Sequence, residues 1–424
     1  MKIHRTRAWL FAAILAIAAM LAFEWPAPPT GSRDERPTET WGFFGHRKIN
    51  HQAVFTLPPE MVVFFKRNID YLTEHAVDPD KRRYATVHEA PRHYLDLDRY
   101  GEPPFPTLPR QWTDALLCRT GYYFITENND TLTLVESDLS SLFNTPESEI
   151  AINPALFSGE PEKVTYQQFR RFFIRNISPQ YYEDEWVVSC DSLAALLGAG
   201  AIHCAGAFAV DTFSAHGILP YNIVKMMERL TLAFVEEDEK KILRNAADIG
   251  HYIADAFVPL HTSQNYNGQL TNQLGIHAFW ESRIPELFAD SDYDFWVGKA
   301  ELIENPESYF WNIVLNTHTY VDSVLDIERE VAAQIPADRL YCSEMRGNSL
   351  VQTQCEEFAA AYNERLSGMV ERQMRAAIAA VGSAWLTAWV KAGQPDLGNL
   401  KPGTGDPEPA PASPSGKPFG RQHE

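Results

Sequence analysis

The sequence predicts an all-α fold, a compact multi-helix body, and three observations carry that expectation. Two long stretches in the middle of the chain repeat apolar residues at helical spacing. A later run is rich in Ala, Glu, Arg, Met and Leu, and alternating apolar and polar runs of the strand type are few. Hydrophobic residues make up 45% of the 424 positions and charged residues 22%, enough apolar material for a sizeable core. The formal net charge of −19 repels polyanions and leaves no footprint for duplex nucleic acid.

Taken in order, residues 1–23 begin with the basic segment MKIHRTR and continue as an apolar run from Ala8 to Phe23. That run is short for a spanning helix and suits the apolar region of a signal peptide, so the body is expected to be exported, periplasmic or secreted. Glu24-Trp25-Pro26 is a poor cleavage site, and an uncleaved signal anchor tethering the body to a membrane is the alternative. Residues 24–40 are Pro-rich and polar and read as a linker or removable pro-segment. The folded body spans 41–395, and within it residues 100–215, rich in turn formers and aromatics, read as an insertion.

Residues 221–238 place Ile223, Met226, Met227, Leu230 and Ala233 on one helical face, with Pro220 where a helix would start. A second helix is predicted over 239–257 from Ile242, Ala246, Ile249, Ile253 and Phe257, with Pro259 ending it. Residues 355–392 read as helix with a break at Gly382, and 396–424 as a disordered Pro-rich tail. The cysteines are Cys118, Cys190, Cys204, Cys342 and Cys355. Cys190/Cys204 or Cys342/Cys355 would close short loops, but neither pairing follows from sequence and one thiol is left over. No CxxC spacing occurs, which argues against a thiolate zinc site.

The chemistry concentrates in GHYIADAFVPLH, residues 250–261. His251 and Asp255 are four apart and share a helical face; His261 follows the turn at Pro259. The segment GIHAFWESR, 275–283, repeats the device with His277 and Glu281. Imidazole beside carboxylate is the donor mixture that zinc favours. One such pair is more often a surface ion pair. Two pairs flanking a third histidine, among Tyr252, Ile253, Phe257, Phe279 and Trp280, point to a metal, because unpaired polar groups there would be expensive. Upstream, WGFFGH (41–46) supplies Trp41 and His46, HAVDPDKRR (75–83) supplies Asp78 and Asp80 around Pro79, and HYLDLD (93–98) supplies His93. Each of these is weak alone. His75, His88, His203 and His318 read as structural or surface residues, with His88 and His216 expected to back ligands from outside.

The order Trp-x4-His, Asp, His, His-x3-Asp-x5-His, His-x3-Glu resembles the zinc-dependent phospholipase C superfamily, which includes the single-strand-specific zinc nucleases. The likeness covers the ligand segments around 41–98 and 245–290. It implies a helical fold around three zinc ions. Trp41, through its backbone amine and carbonyl, would bind one with His46 and Asp255. Asp80, His93 and His251 would hold a second, with Asp255 bridging. His261, His277 and Glu281 would hold the third. Asp80 matches the pattern by its distance to His93 and by Arg83 after it; Asp78 is the alternative. Asp80 would also orient or deprotonate the attacking water. Two features depart from the superfamily: forty residues precede Trp41, whose amine must be freed by processing, and the stretch between His93 and His251 is longer than usual.

The substrate expected from this resemblance is a phospholipid, with contact to a membrane surface and cleavage of the head group by zinc-activated water. The loop 261–273 (HTSQNYNGQLTNQ) lacks the acidic Gly-Gly-Asn pattern of the nucleases. A single-strand nuclease or nucleotidase of the same superfamily is the alternative. An exported, non-catalytic zinc-binding protein is the alternative of another class.

Overall fold

The computed structural model describes residues 43–157, 163–198, 202–346, 349–400 and 421. The chain divides into two units, Met1–Thr38 and Glu39–Glu424, and all described residues belong to the second. The expectations for the leader, the linker and Trp41 lie outside the described residues.

The body opens with α1 (Phe43–Ala53), α2 (Pro59–Arg67), α3 (Ile69–Glu74) and α4 (Asp78–Arg82). Helices α5 (Trp112–Cys118), α6 (Tyr166–Asn176) and α7 (Cys190–Leu197) alternate with strands. The central pair, α8 (Leu219–Val235) and α9 (Glu239–Asp255), follows. Then come α10 (Ile284–Asp292), α11 (Pro306–His318), α12 (Val321–Ala332), α13 (Glu356–Arg365) and α14 (Met369–Lys391).

The central pair forms where the apolar period predicts. Pro220 lies in the first turn of α8, where its missing N–H is no loss, and the Asp238 side chain caps α9 by accepting from the Lys241 backbone N–H. The predicted stripe of each helix is buried, and from Ala246 to Asp255 every residue of α9 is buried. Helix α9 is therefore central rather than amphipathic at that end, packed by α8, α1 and α14. Four buried polar groups, Asp248, His251, Asp255 and the Tyr252 hydroxyl, need partners there.

The all-α expectation is corrected: the body is mostly helical but also contains sheet. Strands β1 (Thr120–Ile125), β2 (Thr131–Thr133), β5 (Trp186–Val188) and β6 (Gly206–Asp211) form an antiparallel sheet in the order β2-β1-β6-β5. Its register sets Tyr123 opposite Thr133 on one side and Phe208 on the other. Between them in sequence, β3 (Glu149–Ile150) pairs with β4 (Val164–Thr165). A separate hairpin joins β7 (Tyr341–Arg346) to β8 (Ser349–Gln354). The four-stranded sheet and the β3–β4 pair occupy the 100–215 stretch. Their strands are short and pair with distant segments, so no single one displays a convincing period.

The C-terminal helical stretch breaks at Ser367 and Gly368, both with left-handed φ (51° and 73°), and not at Gly382. Gly382 lies inside α14 at a close contact, where a Cβ would meet Thr56 Oγ1 at 1.9 Å. It is a packing glycine, not a terminator. Both short-loop disulfides form, Cys190–Cys204 and Cys342–Cys355, and Cys118 is a free thiol. The two bridges fit an oxidising, exported setting. Among the described residues no helix is long and apolar enough to cross a membrane.

Candidate metal centre

The centre starts from the close approach of α1 to α9. At Gly250 a Cβ would lie 2.0 Å from Asn50 Oδ1, so only glycine lets the helices meet this closely. Asn50 donates to the carbonyls of Leu72 (3.3 Å) and Ala247 (3.1 Å), fixing α1 across α9. His46 lies one turn before Asn50 and His251 one residue after Gly250. Their rings stack with centroids 4.0 Å apart. One turn further along α9, Asp255 places its oxygens 3.5 Å from His46 Nε2 and 3.4 Å from His251 Nε2.

His93 ends a 3-10 turn, Ala90–His93, and His261 sits in another, Pro259–Thr262. The Leu95 N–H donates to the His261 carbonyl (2.9 Å), stitching the two segments together. His93 Nδ1 is 3.0 Å from Asp255 Oδ2 and 3.0 Å from His251 Nε2. His277 precedes, and Glu281 lies within, a π-helical turn, Phe279–Arg283, that leads into α10. The Arg283 guanidinium anchors this turn by donating to the Gln354 carbonyl (3.2 Å) and to Glu344 of the β7–β8 hairpin. Such turns recur at functional sites because they re-aim a side chain within a helix. Glu281 reaches His277 Nε2 at 2.7 Å, His261 Nε2 at 3.4 Å and His46 Nε2 at 3.2 Å. Asp80, on α4, lies 3.7 Å from His251 and 3.8 Å from His93, with Arg83 beside it at 3.8 Å.

These side chains form four overlapping sets whose donor atoms lie within 4.8 Å of one another. They are His46–Asp80–His251, His93–His251–Asp255, His261–His277–Glu281 and His46–Asp255–Glu281. The histidine tautomers fit a metal. His251, His261 and His277 each donate Nδ1–H to a backbone carbonyl, of Ala76 (2.8 Å), His93 (2.5 Å) and Tyr266 (2.9 Å). With Nδ1 so engaged, each ring turns Nε2 inward, toward the carboxylates. His277 Nε2 and Glu281 stand 2.7 Å apart, a spacing that either a proton on the imidazole or a bound cation bridges. These buried groups could hold a metal ion.

The electrostatics point the same way. Burial, with Glu281 and Asp80 beside it, pushes the Asp255 carboxyl well above the usual carboxylate range. Burial also raises Asp80, against the pull of His46 and Arg83. Burial would raise Glu281 too, but His261, His277 and His46 hold it well below its usual value. Burial, together with His46, keeps His251 far below its ordinary range, and burial pushes His261 down to about 4. At His46 burial disfavours the charged form, yet the Glu281 hydrogen bond and the Glu281 and Asp80 charges outweigh it and raise the pKa. Three carboxylates share one buried volume with His251 and His261, both held neutral by burial, and a divalent cation there would offset the carboxylate charge.

Eight of the nine sequence-predicted residues are thus brought together: His46, Asp80, His93, His251, Asp255, His261, His277 and Glu281. The ninth, Trp41, lies outside the described residues. Between the two aspartates, Asp80 faces the cluster, while Asp78 is held by His75 (2.5 Å) and Lys81 (2.9 Å). His88 and His216 do not back ligands as expected. His88 stands edge-on to Tyr182, and His216 faces Asp96 at 3.6 Å. The nearest acidic group behind the cluster is Glu89, buried, with Oε1 3.8 Å from His93 Nε2. Arg92 (2.7 Å) and the Tyr252 hydroxyl hold Glu89, and Arg82 ties the same network to Asp248 (2.9 Å). Its signal was present in the sequence, since Glu89 and His93 are themselves an acid and a histidine four apart. No protein-family model and no curated protein matches this chain.

Proposed function

We propose that this chain is an exported zinc-dependent phosphoric ester hydrolase, of the phospholipase C type, acting on phospholipid head groups. The observation that carries the reading is the cluster of five inward-facing histidines and three carboxylates, three of the histidines locked by backbone carbonyls in the metal-binding tautomer. The order of these residues resembles the zinc-dependent phospholipase C superfamily. In this reading His46 and Asp255, with Trp41 after processing, hold one zinc. Asp80, His93, His251 and Asp255 hold a second, and His261, His277 and Glu281 a third. Zinc, when bound, would lower the pKa of a water toward neutrality and neutralise charge on the phosphoryl oxygens.

The chain's own groups do the remaining work. Asp80 is the most open member of the cluster, its side chain 23% exposed, so it is the carboxylate placed to orient a water and accept its proton. Arg83 beside it limits the directions that carboxylate can take. The acidic net charge and the 261–273 loop favour phospholipid over single-stranded nucleic acid. The test is an assay of the purified, zinc-loaded protein. Release of diglyceride and phosphorylated head group is expected, with loss of about a hundred-fold or more in His251→Ala. Nucleotide release from single-stranded DNA, with no lipid cleavage, would instead assign the nuclease reading. Zinc binding with neither product would leave a non-catalytic zinc protein.

A further inference from the structure

Arg421 lies at the rim of the histidine–carboxylate cluster. Its guanidinium carbon lies 3.6 Å from the centroid of the Tyr94 ring and 4.7 Å from that of Tyr266. The guanidinium also donates to the Asp96 carboxylate and, at 3.2 Å, to the Ser263 carbonyl. The Arg421 carbonyl in turn accepts from the Arg83 guanidinium. The Arg421 side chain is only 10% exposed, in a segment whose composition predicts no burial at all.

Each element of this arrangement suits a planar cation. Two aromatic rings offer their electron-rich faces to a flat guanidinium, and a carboxylate and a carbonyl take its N–H donors. Asp96 is 2% exposed and otherwise has His216 at 3.6 Å, so it needs a cation. The slot also shares its frame with the cluster. Tyr94 follows His93, the Tyr266 carbonyl holds His277 Nδ1, Ser263 is two residues after His261, and Arg83 stands beside Asp80.

We propose that Tyr94, Tyr266, Asp96 and the Ser263 carbonyl form a guanidinium-binding slot whose ligand is the chain's own Arg421. The slot holds Arg421 at the edge of the cluster, where the Arg421 carbonyl accepts from Arg83 beside Asp80. Calorimetric titration of the full-length protein with a synthetic peptide of residues 417–424 tests it. An occupant already present in the same chain competes with the added peptide. Full-length Arg421→Ala is therefore expected to bind the peptide about ten-fold or more tightly than the wild type does. A peptide with alanine in place of its arginine should not bind. Adding Tyr266→Leu to Arg421→Ala should abolish binding, with near-ultraviolet circular dichroism showing that the fold is kept. Equal binding by wild type and Arg421→Ala, or binding by neither, overturns the proposal. The titration needs no turnover, so it stands or falls separately from the hydrolase reading.

Discussion

At the scale of single residues, Glu89 is the most informative side chain outside the cluster. His93 turns Nδ1 toward Asp255 and His251, and Glu89 Oε1 lies 3.8 Å from Nε2 on the ring's other side. A carboxylate behind a metal-binding imidazole orients the ring and raises its basicity. Under the proposed zinc reading, Glu89→Gln is expected to weaken zinc affinity by about 10- to 100-fold, measured by competition with a chromophoric chelator. Unchanged affinity would remove Glu89 from the site. Cys118 gives a second residue-scale prediction. Burial, outweighing the Tyr166 hydrogen bond, pushes its thiol up to about 12. At pH 8 the thiolate is then scarce, and the folded protein should resist alkylation. Denaturant without reductant should expose one reactive thiol per chain, since the other four cysteines are bridged. Rapid labelling of the native protein would contradict this.

At the scale of elements, the α1–α9 crossing decides whether the cluster assembles. His46 reaches His251 and Asp255 because Gly250 lets Asn50 sit directly on the α9 backbone. Gly250→Ala would drive a methyl group into Asn50 Oδ1, and overpacking of this kind costs about 1–3 kcal/mol. The expected outcome is a lower Tm together with weaker metal binding, because His46 is displaced with the helix that carries it. Adding Asn50→Ala removes the clashing amide and should recover part of the Tm. Gly250→Ala with wild-type Tm and metal content would show that the crossing tolerates the shift. The β7–β8 hairpin acts similarly on the other side of the cluster. Its Glu344 and Gln354 hold Arg283, and Arg346 pairs with Glu286 on α10 at 2.7 Å. The Cys342–Cys355 bridge closes the base of that hairpin.

At the scale of the whole molecule, the fold is arranged around a buried excess of negative charge. Asp80 on α4, Asp255 on α9 and Glu281 in the π-helical turn before α10 are drawn together, with Glu89 behind them. A cation that binds the folded state alone stabilises it by about 4 kcal/mol when free metal is a thousand-fold above its Kd. Chelation should therefore lower the Tm by several degrees, and added zinc should restore it. A chelator-treated protein with unchanged Tm and no bound metal would mean the cluster is stable without a cation.

Much of the site was legible in the sequence because its candidate donors come as local pairs. His251 with Asp255 and His277 with Glu281 need only a helix to bring them together, and that geometry follows from spacing alone. Helices α8 and α9 were legible for the same reason, through apolar periods that repeat within one segment. The strands of 100–215 were not, since β1 and β6 exchange hydrogen bonds across a long separation and neither is convincing alone. Disulfide pairing, the choice of Asp80 over Asp78 and the burial of Arg421 between Tyr94 and Tyr266 share that character. The sequence by itself determined which donor atoms the chain could offer a metal. Only the tertiary structure decided which of them meet, because that depends on contacts such as Gly250 on Asn50, made between residues far apart along the chain.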